Sequence, residues 1–241
     1  MVGAQAAAQQ LLSAWQAPHQ IEAINPSVRP HTRGEGYAVQ QALFEATGDK
    51  AIGWKIAATS TAGQAHIGVS GPLAGRLLAS RCLPDGAAVS MRGNVMHVIE
   101  AEFAFRMGAD VLAVGDAPLT VQQVMAQVAE LHLAIEIPNS RYQDFVTAGE
   151  AQLIADFACA SHMVLGPALT TDFGKAAGSP GRCALALRRD STLFALISGA
   201  FRPALGGGGT RGKPHRGPPE RPLVLSHAVR SWPRAALNPL L

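Results

Sequence analysis

The 241-residue chain is 48% hydrophobic and 15% charged, enough apolar content for a packed core and too little charge for a chain disordered throughout. Its net charge of +3 is unevenly placed: residues 1–195 carry 13 Lys/Arg against 16 Asp/Glu, and residues 196–241 carry 7 Lys/Arg against Glu220 alone. Few aromatics, three scattered cysteines (Cys82, Cys159 and Cys183), no basic-then-apolar leader and no apolar run of bilayer length argue against a stacking surface for nucleic acid, a disulfide or zinc framework, export and a membrane span, and for a reducing cytoplasm.

Ala4–Trp15 reads as a helix rich in Ala, Gln and Leu. After a loop broken by Pro18, Pro26 and Pro30, Thr32 and Glu35 have the spacing of a capping box ahead of a helix to Ala46, and Gly48 ends it. Residues 1–50 therefore read as a small helical cap, and 51–195 as the main domain. Within that domain Ala51–Ala57 reads as a strand, the glycines of His66–Leu78 mark turns, and Val95–Met107 is a long strand. Thr120–Glu130 reads as a helix with Thr120 and Gln123 as its capping pair, and Leu131–Ile137, bounded by Pro138, as a buried strand. Glu150–Phe157 reads as a helical turn, Ser161–Leu165 as a strand, and Ala184–Phe194 as a hairpin turning near Arg189–Ser191. Strands outnumber helices without regular alternation, which predicts a mixed α+β domain. Residues 196–241 stand apart as a basic Pro/Gly-rich tail; 201–241 hold seven prolines and the run Gly206–Gly209, a composition that packs poorly.

The most informative stretch is Val98–Phe105. On a strand, side chains alternate, so Glu100 and Glu102 share one face while Ile99, Ala101, Phe103 and Phe105 share the other. Two neighbouring like charges need neutralising, by water at a surface or by a cation in a cleft. Glu136 is the sole acid of the apolar run Leu131–Ile137, and glutamate is seldom buried without a partner. If the three meet, they form an all-oxygen site suited to a hard divalent cation, Mg²⁺ or Mn²⁺, rather than zinc. Pattern alone fits equally a solvated face of an amphipathic strand with Glu136 at its exposed end.

Lys55 is a lone cation in an apolar strand, placed either to stabilise negative charge, to donate a proton if its pKa is lowered, or to snorkel from a strand edge. Arg141 is open between a substrate carboxylate and capping of a turn. His97 and His132 read as structural, and Cys159 as a small core residue.

Several segments together resemble the 2-keto-4-pentenoate hydratase branch of the fumarylacetoacetate hydrolase superfamily. Gly53 to Ser60 resembles that branch's Gly-x-Lys-Ile-Gly-x-Thr-Ser segment, and Ile67 to Pro72 its Leu-Gly-Val-x-x-Pro. Ile99-Glu100-Ala101-Glu102 is similar to its Val-Glu-Ala-Glu metal segment, and Ala134 to Arg141 to its Ala-Leu-Glu-Ile-x-Asp-Ser-Arg. Leu73 stands where many relatives have an acid, Asn139 where they have Asp, and Phe157 where they have Asn.

The resemblance implies a mixed β-roll with a helical N-terminal cap and a homo-oligomer. It implies a cation held by Glu100, Glu102 and Glu136, with Lys55 as the catalytic helper and Arg141 as a substrate contact. The implied reaction is addition of water to a short 2-oxo-4-enoic acid such as 2-hydroxypenta-2,4-dienoate, in aromatic-compound catabolism. Decarboxylation of a 2-oxo acid, carbon–carbon hydrolysis, and an inactive truncated relative that binds metal or serves as a subunit partner, for instance of a related decarboxylase, are the alternatives. Beyond Phe194 the resemblance ends. A changed reading frame near residues 195–205 of a GC-rich gene accounts for the Arg-, Pro-, Gly- and Ala-dominated tail; a genuine nucleic-acid-binding tail is the alternative, and the scarcity of aromatics weighs against it.

Overall fold

The computed structural model describes residues 2–17, 19–111 and 118–169, together with two strands beyond them. Helix α1 (Val2–Gln16) buries Ala7, Ala8, Leu11 and Leu12. Helix α2 (Arg33–Thr47) starts at the predicted capping box: Thr32 Oγ1 accepts from Glu35 N, and Glu35 Oε2 accepts from Thr32 N at 3.1 Å. It ends at Gly48, whose left-handed φ of 67° only glycine adopts freely.

Strand β1 (Ala51–Ala57) is followed by a helix, α3 (Thr61–Ile67), which meets the stretch His66–Leu78 read as turns only at its last two residues, while β2 (Leu73–Leu78) occupies that stretch's end. The local reason for the helix is a matched pair of ends. Ser60 Oγ accepts from Gly63 N at 3.1 Å, and Gly68 closes the helix with φ 64°. Strands β2 (Leu73–Leu78), β3 (Cys82–Pro84) and β4 (Ala88–Val89) come next.

Strand β5 is Glu100–Met107, five residues shorter than predicted at its start. Side-chain amides take the backbone there out of the ladder: Val95 N donates to Asn139 Oδ1 at 2.9 Å and His97 N to Asn94 Oδ1 at 2.8 Å, with His97 at φ 49°. Helix α4 (Val121–Met125) keeps the Thr120/Gln123 capping box but ends early, because β6 (Val128–Ile137) claims residues 128–130. Val128 pairs with Met107 and Glu130 with Arg106, whose guanidinium meets the Glu130 carboxylate at 2.5 Å. Tertiary pairing outweighs helix propensity here.

Helix α5 (Glu150–Ala155) and strands β7 (His162–Ala168), β8 (Phe194–Ser198) and β9 (Leu223–Val224) complete the described elements. Of the predicted hairpin Ala184–Phe194, all but Phe194 lies outside the described residues. The boundary read at residue 195 falls inside β8, so the sheet takes in residues 196–198.

The main sheet has the order β2-β1-β8-β5-β6-β7-β3 and is mixed, with β1/β8 and β7/β3 parallel and the other pairs antiparallel. β4 and β9 form a second, two-stranded sheet. Helices and sheet share one core: Leu11 and Leu43 belong with Leu77, Ala104, Ala134 and Met163. Gly36 lets α2 approach α5, since a Cβ there would lie 2.6 Å from Ala151 O. No helix among the described residues is long and apolar enough to cross a membrane.

Candidate metal centre

Register brings the acids together. In the β5/β6 ladder Glu100 lies directly opposite Glu136, and opposed residues share a face. Glu102, one pleat along β5, faces the same way. One carboxylate oxygen from each of the three lies within 4.8 Å of the others. Glu102 and Glu136 are each 3% exposed, while Glu100 is half-buried toward solvent.

Lys55 reaches the same face from β1 across β8. Its backbone partner Leu196 is in turn the partner of Ala104, which shares the parity of Glu100 and Glu102. The long side chain spans that gap, and Nζ lies 2.9 Å from Glu136 Oε1. Burial alone would pull the ammonium's pKa down, but Glu136 and then Glu100 outweigh it, and the pKa ends above the ordinary lysine value. The geometry places the Lys55 ammonium directly against the Glu136 carboxylate. Glu136 ends above the usual carboxylate range, because burial outweighs the Lys55 ammonium and Glu100 adds repulsion.

Among the described residues one ammonium stands beside three carboxylates, two of which are almost wholly buried. An all-oxygen donor set of this kind fits a hard divalent cation, which would be held by Glu100, Glu102 and Glu136.

Arg141 is not in this group. Its guanidinium is buried with Asp156: Nε donates to Asp156 Oδ1, Nη2 to Asp156 O at 2.8 Å, and its backbone N to Asp156 Oδ2 at 2.9 Å. Trp15 stacks on it at 4.3 Å. Those donors are committed within the fold, which is the turn-holding alternative of the two roles read for it. His132 sits toward the other end of β6, with Nδ1 at 2.9 Å from Gly166 O, and His97 is exposed. Cys159 is buried, and burial pushes its thiol up to about 12, which makes it inert as a nucleophile.

Two features of the surroundings escaped the sequence reading. Three consecutive residues that carry side chains, Phe157 (φ 52°), Ala158 (φ 49°) and Cys159 (φ 63°), form a left-handed turn, and such conformations cost about 1–3 kcal/mol each. Asp156, just before it, is the buried partner of Arg141. A glycine inside a strand, Gly75 in β2, was the available signal for the turn, since it marks close backbone approach.

No family model matches the chain. It is 31% identical over 169 residues to a 2-keto-4-pentenoate hydratase of Burkholderia vietnamiensis, covering 68% of this chain and 61% of the relative. It is 29% identical over 151 residues to a 4-oxalocrotonate decarboxylase of a Pseudomonas species, covering 61% of this chain and 56% of the relative. Among solved structures it resembles 4-oxalocrotonate decarboxylase from Pseudomonas putida complexed with magnesium and adipate, with a TM-score of 0.60 and 27% identity over 68% of this chain and 62% of that one. The chain thus spans about 61% of the length of the hydratase it matches.

Proposed function

We propose that this protein is a divalent-cation-dependent hydratase that adds water to a short 2-oxo-4-enoic acid, such as 2-hydroxypenta-2,4-dienoate, to give a 4-hydroxy-2-oxo acid. The observation that carries this reading is the meeting of Glu100, Glu102 and Glu136 beside the Lys55 ammonium, in a chain 31% identical to a hydratase of that substrate class. The magnesium in the related decarboxylase structure supports the cation.

When bound, Mg²⁺ or Mn²⁺ supplies a Lewis acid that polarises the 2-oxo oxygen and a template that orients the acid. Glu100, Glu102 and Glu136 would hold it, Glu102 and Glu136 being almost wholly buried and Glu100 half-buried. Lys55 keeps a positive charge beside the reacting end, where it stabilises negative charge developing on the 2-oxo oxygen in a site shielded from water. Its buried stem and its ion pair to Glu136 hold it in place, so little reorganisation is needed as that charge develops. The fold that goes with this reading is a β-roll under a helical cap, acting as a homo-oligomer in the cytoplasm.

Decarboxylation of a 2-oxo acid is the second reading, favoured by the solved structure that the chain resembles. Product analysis separates the two. Chelator-treated protein is given 2-hydroxypenta-2,4-dienoate or a 2-oxo-hex-3-enedioate, with and without Mg²⁺. The hydratase reading expects cation-dependent loss of dienoate absorbance, a 4-hydroxy-2-oxo product, and no turnover by Glu102→Gln. Release of carbon dioxide from the diacid without dienoate hydration selects the decarboxylase; turnover that is indifferent to cation and to Glu102→Gln rejects both.

A further inference from the structure

Phe157, Ala158 and Cys159 hold three successive left-handed residues without a glycine or asparagine among them. Such a turn persists only when its surroundings over-determine it. Three contacts do so here. Phe157 is fully buried, edge-on to Trp15 at 5.5 Å. Cys159 O accepts from Asn139 N at 2.9 Å, three residues past Glu136 on the same chain segment. The Phe157 carbonyl is seated on Gly75, where a Cβ would lie 1.8 Å from the oxygen and 2.6 Å from the carbon, so no residue but glycine fits without moving the turn.

Gly75 is the register partner of Lys55 in the β1/β2 ladder. The turn therefore spans from the strand beside Lys55 to the segment that follows Glu136. Its last residue, Cys159, is buried and lies within electrostatic reach of the Lys55 ammonium.

We propose that the left-handed turn Phe157–Cys159, seated on Gly75 and tied to Asn139, is a positioning element that covers Lys55 and holds its ammonium against Glu136. Gly75 and Cys159 are then positioning residues for the reaction, and the proposal rests on the reading of Lys55 as the charge beside the reacting centre. The strain in the turn has a use: it lets a carbonyl and a small side chain press on the β1/β2 pair from above, where a right-handed turn would carry the chain elsewhere.

The test uses the full chain and does not depend on turnover. Lysines are acetylated with an N-hydroxysuccinimide ester well below the melting temperature, and Lys55 is compared by mass spectrometry with exposed Lys50. In the wild type Lys55 reacts at least about 10-fold more slowly than Lys50; Gly75→Ala narrows that ratio about 5-fold or more, by opening the cover locally. Cys159→Gly, which tolerates the left-handed backbone and so should fold if Gly75→Ala does not, narrows it about 3-fold. Val89→Ala, buried in a cluster separate from those that hold Phe157, Ala158 and Cys159, lowers the melting temperature and leaves the ratio alone. If the wild type turns over the dienoate, Gly75→Ala also lowers kcat about 10-fold or more with KM within about 2-fold, since misplacement of a helper group acts on the chemical step. An unchanged labelling ratio in either folded variant overturns the proposal. Absent turnover by the wild type counts against the functional reading alone, and the labelling arm still decides this one.

Discussion

Glu100 and Glu136 lie directly opposite one another across the β5/β6 ladder, two carboxylates on one face of a sheet with Glu102 one pleat further along. Like charges in directly opposed positions destabilise a ladder. The Lys55 ammonium, 2.9 Å from Glu136, offsets part of that repulsion. A bound divalent cation would offset more of it, and this sets the first expectation.

Adding Mg²⁺ or Mn²⁺ to chelator-treated protein at about 100 times its Kd stabilises the fold by about 2.7 kcal/mol. That corresponds to a rise in melting temperature of about 5–10 °C for a chain of this size. Glu102→Gln removes one ligand and most of the response. Differential scanning fluorimetry checks both; a wild type indifferent to millimolar Mg²⁺, Mn²⁺ and Ca²⁺ removes the metal centre.

Lys55 and Glu136 are both almost wholly buried, so breaking the pair from one side is costly. Without cation at pH 7.5, Lys55→Met is expected to lose about 3–5 kcal/mol in urea unfolding, because it leaves a buried carboxylate with no counter-charge. Adding Glu136→Gln should recover more than half of that loss, giving a strong coupling in the double-mutant cycle. A Lys55→Met protein as stable as the wild type would show that the pair contributes nothing.

For Arg141 the expectation is a stability defect without a binding defect. Arg141→Lys cannot reproduce the forked contacts to Asp156 Oδ1 and O, and should destabilise by about 3–5 kcal/mol. Cation affinity by calorimetry should stay within about 2-fold, as separate sites act nearly independently. A loss of substrate affinity in a variant of wild-type stability would return Arg141 to the substrate.

His162 supplies the pH dependence. Burial, and then the Arg81 guanidinium, hold its pKa down at about 4 against an ordinary value of 6.5. Arg81 Nη1 lies 3.1 Å from Nε2, a contact that requires the neutral ring. The unfolded chain therefore takes up the proton at a higher pH than the folded one does. Above pH 6.5 the group contributes no pH dependence; as pH falls from 6.5 toward 4, stability declines by about 1–2 kcal/mol after allowance for solvent screening, and the decline ends below pH 4. The difference in unfolding free energy between wild type and His162→Gln, followed from pH 8 to 4, should change sign-consistently over that window; a flat difference rejects it.

Much of the framework could be read from short stretches. Thr32 with Glu35, Gly48, and Thr120 with Gln123 encode helix ends within a few residues, and each acts as read. Alternation along Val98–Phe105 put Glu100 and Glu102 on one face, because a strand's period is a local property. Where distant segments competed for the same backbone, the reading failed. Asn94 and Asn139 withdraw Val95–Ile99 from the strand, and the Arg106–Glu130 pairing draws 128–130 out of the helix.

From residues alone, then, came three acids, a lysine in apolar company and the segments that carry them. Folding decided that Glu136 pairs with Glu100, that Lys55 reaches Glu136 across the two intervening strands β8 and β5, and that Arg141 pairs with Asp156. The reason is physical. Caps and alternation depend on neighbours in the chain, whereas register, ion-pair choice and the left-handed turn over Gly75 depend on which remote segment wins a shared place in the sheet and core.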